Sequence, residues 1–494
     1  MSGPGARVDR GVTLSVSVQF GAKLVHLALN VVSSLAIINY LSPARYGDFV
    51  LVLIVTTLLG LLCDFGLVRV AVREVARQPD LEAGALGTVV AMRLALALVS
   101  AGLVQVVLLA MGSTGAVRLA AAVASLYFVC DALLAAAIVF HVRLRQQYEA
   151  LALTAAELVE TALVLVVIAR GGTFLQLVAA PVVGGVVGVA IAVAIARGRF
   201  RARPRLNLGL VRPLLRAAVP VAANGFVGIV VLKLDGLMLG ALRPSREIGL
   251  YGAAFQPVEY LLVATVTAVT VVLPLLSRYH RDDPARFEAL YRRGTEVLLA
   301  VMVPLALLVA VLAQPAVRAV YSDEYADSAA PMRVLAVALV MMSLCAWQAI
   351  VLLAAGRQRV TLAYNCGALV LGALIHLALI PTFGYMGAAV GTLGTTAATA
   401  VVAGMVAGRL LGTSLDRGRL VRLGLAHLLA LAVLGVATAA GLTVPVAGSI
   451  AVLSDVAWLR MTGALRIDEF RALLAPATGA ALPSQDHLVP VGVA

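Results

Sequence analysis

The 494 residues predict an all-α fold that crosses a membrane about 14 times. Hydrophobic residues make up 62% of the chain and charged residues 13%, and the mean hydropathy is +1.01. A soluble globular chain carries about 25% charged residues. Apolar runs recur here at the roughly 20-residue length that a helix needs to cross ~30 Å of hydrocarbon. Arginine clusters at alternate ends of those runs, which is the mark of a polytopic bundle.

The first apolar run, 13–40, is too long for a signal-peptide core and reads as span one. The turn Leu41-Ser42-Pro43-Ala44-Arg45-Tyr46-Gly47-Asp48 leads to span two, 49–68, which ends in Arg69, Arg73 and Arg77. Runs 88–111, 117–140, 150–169 and 173–196 complete a first half, residues 1–196. Residues 197–216 form a basic linker. Runs 217–242, 249–276, 295–320, 329–355, 360–380 and 385–408 make a second half, 217–409. Residues 421–459 would be about 60 Å long as one helix, too long for a bilayer. We divide them at Gly441 into spans 421–440 and 442–459. Residues 460–494 read as an amphipathic segment followed by a flexible tail.

With the N-terminus in the cytoplasm, 28 of the 38 Lys and Arg fall on inner segments, seven on outer loops, and Lys23, Arg93 and Lys233 within spans. This is a strong positive-inside bias, and a miscounted span would reverse every later loop. The net charge of +13 is thus explained by orientation, and no nucleic-acid partner is expected. The linker and tail are cytoplasmic on this reading.

The chain lacks the parts of common enzymes. A P-loop needs Gly-Lys-Ser/Thr, but Lys23 follows Ala22 and Lys233 follows Leu232. There is no HExxH. Cys63, Cys130, Cys345 and Cys366 all lie in apolar runs without a CxxC pair, so no metal or disulfide framework is indicated. No cofactor is expected. Asp282-Asp283-Pro284 reads as a solvated acidic patch, and no outer loop is large enough to hold catalytic acids. Transport is favoured over catalysis.

Polar residues inside the spans are the candidate site, because an intramembrane charge costs roughly 3 kcal/mol and tends to mark a pathway. On span one, Gln19, Lys23, His26 and Asn30 fall within about 60° of one another at 100° per residue. This stripe is expected to face a water- or substrate-filled cavity. On span seven, Asn224 and Asp235 share a face, about 20° apart, whereas Lys233 lies about 200° from Asp235 and needs a partner elsewhere. On span eight, Gln256 and Glu259 flank Pro257, where a kink and a freed carbonyl are expected. Glu157 and Glu160 share a face of span five and could balance Lys23 or Arg93 or carry a coupling proton. Arg93 is shallow enough to snorkel inward.

Several of these runs carry a family resemblance. Tyr46-Gly47-Asp48-Phe49, Asp64-Phe65-Gly66-Leu67 and Ala71-Val72-Arg73-Glu74-Val75-Ala76-Arg77 resemble the opening of bacterial polysaccharide or oligosaccharide flippases, a family of the multidrug/oligosaccharidyl-lipid/polysaccharide exporter superfamily. Lys233-Leu234-Asp235, Gly249-Leu250-Tyr251-Gly252-Ala253-Ala254-Phe255, Tyr321–Tyr325 and Ile380-Pro381-Thr382-Phe383-Gly384-Tyr385 follow in the family's order. The resemblance covers roughly residues 10–410. It implies two six-helix bundles around a central cavity, with two extra C-terminal spans. It implies movement of an undecaprenyl-pyrophosphate-linked oligosaccharide from the inner to the outer leaflet of the bacterial plasma membrane, with membrane lipids and a glycan polymerase as partners. The cavity cations of spans one and seven correspond to Lys23 and Lys233. The chain departs from the family in having few arginines within its spans. A cation-coupled small-molecule antiporter of the multidrug branch is the alternative.

Overall fold

The computed structural model describes residues 4–143, 145–200, 204–412 and 417–461. Residues 201–203 of the basic linker and all of the C-terminal segment beyond Met461 lie outside the described residues. The chain runs through α1 (Pro4–Tyr40), α2 (Pro43–Asp64), α3 (Leu67–Arg77), α4 (Glu82–Ala110), α5 (Gly115–Ser125), α6 (Tyr127–Leu133), α7 (Ile138–Val142), α8 (Gln147–Ala169) and α9 (Phe174–Gly198). After the linker come α10 (Val211–Leu242), α11 (Ser245–Val271), α12 (Leu273–Asp282), α13 (Pro284–Val320), α14 (Ala329–Ala354), α15 (Gln358–Leu411), α16 (Arg417–Ala439) and α17 (Val444–Met461). Every regular element among the described residues is helical.

Among the described residues, thirteen helical segments are long and apolar enough to cross a membrane. One of them, α15, holds two spans: its 54 residues break at Gly384, where φ is 56° and ψ −135°. The total is therefore about 14. The expected division near Gly441 is present as well, with that residue at φ 82° between α16 and α17. Span two is broken in a way that hydropathy does not disclose. Phe65 and Gly66 both adopt left-handed backbone at the α2–α3 junction. After the break, α3 buries Leu67, Val70, Ala71 and Val75 and exposes Arg69, Arg73 and Arg77, a one-sided pattern at helical spacing.

Contacts divide the chain into two compact units. The first comprises Met1–Tyr260, Ala313–Leu335 and Leu362–Thr395; the second comprises Leu261–Leu312, Ala336–Thr361 and Thr396–Ala494. In the first unit, Val75, Val89, Ile138, Phe140 and Ala192 are wholly buried in one apolar cluster. Small residues let its backbones approach. On α9, a Cβ on Gly184 would lie 2.6 Å from the Ala156 carbonyl oxygen, and one on Gly188 would lie 3.0 Å from the Ala156 Cβ. This is a Gly-x-x-x-Gly face laid against α8, the arrangement that gives close van der Waals packing where lipid removes the hydrophobic drive. In the second unit, Leu459 of α17 packs with Ala300, Leu423 and Ala426. His427 Nδ1 lies 2.9 Å from the Asp455 carboxylate and joins α16 to α17.

The Gly384 break is held by Glu247. Its carboxylate accepts from the Tyr385 amide at 3.0 Å and pairs with Arg243 at 2.6 Å, and that hydrogen bond raises the Arg243 pKa above its ordinary value. A Cβ on Gly384 would lie 2.1 Å from a Glu247 carboxylate oxygen. Gly384→Ala should therefore lose about 1–3 kcal/mol from backbone strain alone, because φ 56° with ψ −135° is reached almost only by glycine, and more from displacing Glu247. Thermal unfolding in detergent checks this: a melting temperature equal to that of the parent would refute it.

Candidate functional site

The site is built from the first unit. The polar stripe of α1 lies along a matching stripe of α8. The His26 ring nitrogen Nε2 is 3.1 Å from Thr154 Oγ1, Asn30 Nδ2 donates to Glu157 at 2.6 Å, and Ser33 Oγ donates to Thr161 at 3.0 Å. The 26/30/33 and 154/157/161 spacings advance together, as they must for two helices running side by side in the same direction. Half of the expected cavity stripe is thus engaged by a neighbouring helix. Lys23 is different. It is exposed, and no carboxylate among the described residues pairs with it. The side chains of Gln19 and Asn224 lie outside the described residues.

One turn further along α1, α11 joins the line. Tyr260 Oη donates to the Asn30 carbonyl at 2.9 Å and contacts Ser34 Oγ at 2.5 Å. Gln256 Nε2 donates to Tyr260 Oη at 2.8 Å and to Ser34 Oγ at 3.3 Å. Glu259, beside Tyr260, receives Lys233 of α10 at 2.5 Å, and the Lys233 ammonium also sits 5.7 Å from the centre of the Phe255 ring. Glu157, Asn30, Ser34, Tyr260 and Gln256 therefore form one hydrogen-bonded line across α8, α1 and α11, with Lys233–Glu259 joined to it through α11. Tyr260 holds the line together and was not singled out from the sequence. The available signal was its position one turn after Gln256.

Lys233 and Asp235 do point apart, and each finds a protein partner. Asp235 is buried and accepts from Tyr251 Oη at 2.5 Å, Thr392 Oγ1 at 2.8 Å and the Gly236 amide at 2.6 Å. His376 Nε2 stands 3.5 Å from Thr392 Oγ1. With three donors its carboxylate is well satisfied, so Asp235 closes a compact network of α10, α11 and α15.

Arg93 requires a correction. It neither snorkels nor joins the line described above: it is 4% exposed. Its Nη2 lies 2.6 Å from Asp131 and 3.7 Å from Asp64. A buried guanidinium needs counter-charges, and these carboxylates from α2 and α6 supply them, so the group fastens α2, α4 and α6 together. Glu160 is half-buried against Gly184, with no hydrogen bond among the described residues. Among the described residues no three His, Cys, Asp or Glu side chains gather as metal ligands.

At the Pro43 end of α2 the starts of α2 and α11 meet through glycine. A Cβ on Gly47 would lie 1.7 Å from the Ser245 carbonyl oxygen, and one on Gly249 would lie 1.9 Å from the Pro43 carbonyl oxygen. Around this contact Ser245 Oγ donates to Asp48 at 2.6 Å, Tyr325 Oη to the Leu41 carbonyl at 3.0 Å, and Asn39 Nδ2 to the Val320 carbonyl at 2.8 Å. The starts of α2 and α11 are thus in direct backbone contact.

The chain shares its fold with known transporters. The structure of the lipid II flippase MurJ in an inward closed conformation superposes with a TM-score of 0.74 at 12% identity, over 94% of this chain and 100% of that one. An inward-facing multidrug resistance MATE family transporter of the MOP superfamily gives 0.67 at 12% identity, over 78% of this chain and 94% of that one. A eukaryotic MATE transporter gives 0.52 at 16% identity, over 80% and 95%. No curated protein matches the sequence. The family model for lipid II flippase MurJ matches residues 261–454. The model described as polysaccharide biosynthesis protein matches residues 39–330, more than half of the chain. The chain belongs to the polysaccharide biosynthesis protein family, within the multidrug/oligosaccharidyl-lipid/polysaccharide exporter superfamily.

Proposed function

We propose that this protein carries a lipid-linked oligosaccharide from the inner to the outer leaflet of the bacterial plasma membrane. The observation that carries the reading is the polar line through α8, α1 and α11, set within otherwise apolar spans, with the exposed Lys23 on the same face of α1. Its hydroxyl and amide groups suit a sugar headgroup. A pyrophosphate entering the bilayer interior must lose its hydration, and a cation within the spans offsets that cost. Lys23 is the group open to it. Lys233 would have to exchange Glu259 for the substrate, so it responds to loading rather than waiting for it. No covalent step is needed.

The N-terminus lies in the cytoplasm on this reading, so the Gly47–Gly249 crossing is an outer gate. Two six-helix bundles, 1–196 and 217–409, joined by the linker 197–216, alternate their access, with spans 421–459 added to the second. Glu157 and Glu160 are the acids available for coupling. A glycan polymerase on the outer face would consume the product.

The alternative, a small-molecule antiporter, fits less of the chain: the MATE structure covers 78% of it and the MurJ structure 94%. Reconstitution separates the two. Vesicles holding the purified protein should expose an inner-leaflet polyprenyl-pyrophosphate glycan to an impermeant glycosidase faster than protein-free vesicles do. Cation-driven efflux of a small dye without glycolipid movement would replace this reading with the alternative.

A further inference from the structure

The basic linker is fastened to the first half rather than strung loosely from it. The Arg205 amide donates to the Ala83 carbonyl at 2.8 Å. Thr88, wholly buried in α4, uses its hydroxyl twice: it donates to the Asn207 carbonyl at 3.1 Å and accepts from the Asn207 amide at 3.0 Å. Gly87 makes room, since a Cβ there would lie 2.3 Å from the Arg205 carbonyl oxygen. The backbone at Asn207 is extended, with φ −126° and ψ 96°. Asn207 turns toward Gly84, and its Oδ1 accepts from the Gly209 amide at 3.0 Å. Leu206 and Leu208, the latter opening a 3-10 turn, flank it and are 61% and 73% exposed.

Two large apolar side chains thus stand open on a backbone pinned at Arg205 and Asn207. Arg205, Arg212 and Arg216 are exposed on the same short stretch. Apolar side chains that enter an acyl boundary beside cations that stay among headgroups form the pattern of an interfacial anchor. Positive charge close to the surface favours anionic lipid over zwitterionic lipid. We propose that residues 204–216 form a docking strap for the anionic membrane surface, with Leu206 and Leu208 inserted and Arg205, Arg212 and Arg216 reading the lipid charge. Through Thr88 the strap ties that surface to α4, and from Val211 onward its residues are the first turns of α10.

The test uses full-length protein bearing Leu208→Trp, with the parent (Trp347 and Trp458 only) as the baseline. Both are reconstituted in vesicles that contain either a brominated phosphatidylglycerol or a brominated phosphatidylcholine. The emission added by Leu208→Trp should be blue-shifted and at least twofold more quenched by the brominated anionic lipid. Arg205→Gln with Arg212→Gln should remove that preference. Added emission typical of water, unquenched by either lipid, overturns the strap, and equal quenching by both lipids overturns the anionic preference. The readout is lipid contact, so its failure would leave the carrier reading standing.

Discussion

Gly249→Val abolishes transport while the protein remains in the membrane. The argument is steric. The Cβ of any residue at 249 would lie 1.9 Å from the Pro43 carbonyl oxygen and 3.0 Å from the Gly47 amide nitrogen. Both obstacles are backbone, so no side-chain rotation relieves them, and overpacking of this kind typically costs 1–3 kcal/mol or more. The starts of α2 and α11 must move apart. The Ser245–Asp48 hydrogen bond spans the same crossing and should be lost with it. Paired cysteines at Asp48 and Ser245 report this directly. They should cross-link readily in an otherwise parental chain and at least tenfold more slowly beside Gly249→Val. Parental cross-linking and parental transport in the Gly249→Val protein would show that the crossing is not a gate.

Lys23→Ala should lower transport by roughly 10–100-fold, the equivalent of 1.5–3 kcal/mol for a hydrogen bond to a charged group. Folding should be nearly untouched, because Lys23 is exposed and unpaired among the described residues. Lys23→Arg keeps the charge and should retain part of the activity. Lys233→Ala behaves differently. It leaves Glu259 without the ammonium that now stands 2.5 Å away, so it should reduce thermal stability as well as transport. The pair of measurements, transport rate and melting temperature, separates a substrate-facing cation from one held by the protein. Full transport by Lys23→Ala would remove the α1 stripe from the substrate path.

The spans were legible because hydropathy and arginine alternation are properties of whole segments. Even the division at Gly441 followed from length alone. Local backbone events were not legible: nothing in the run Asp64-Phe65-Gly66 requires Phe65 to adopt φ 46°, and α6 passes into α7 through a tighter 3-10 turn at Leu134–Ala137. At the site, helical periodicity correctly separated Lys233 from Asp235, since that follows from spacing within one helix. It could not say that Lys233 meets Glu259, because partners on different helices are set by packing. Arg93 shows the same limit. Asp64 and Asp131 are plain in the sequence, but only the packing of α2, α4 and α6 turns both toward one guanidinium. A tyrosine in an apolar span looks like packing until its hydroxyl is seen to reach a partner, as that of Tyr260 reaches the Asn30 carbonyl.

The most direct measurement of the central claim is the pool of lipid-linked glycan in a deletion strain, sorted by leaflet with a membrane-impermeant glycan-cleaving probe. Loss of the carrier should make repeat units accumulate on the inner side, protected from the probe, and the parental gene should restore their cleavage where Lys23→Ala does not. A pool of normal size that is fully open to the probe in the deletion strain would contradict the account.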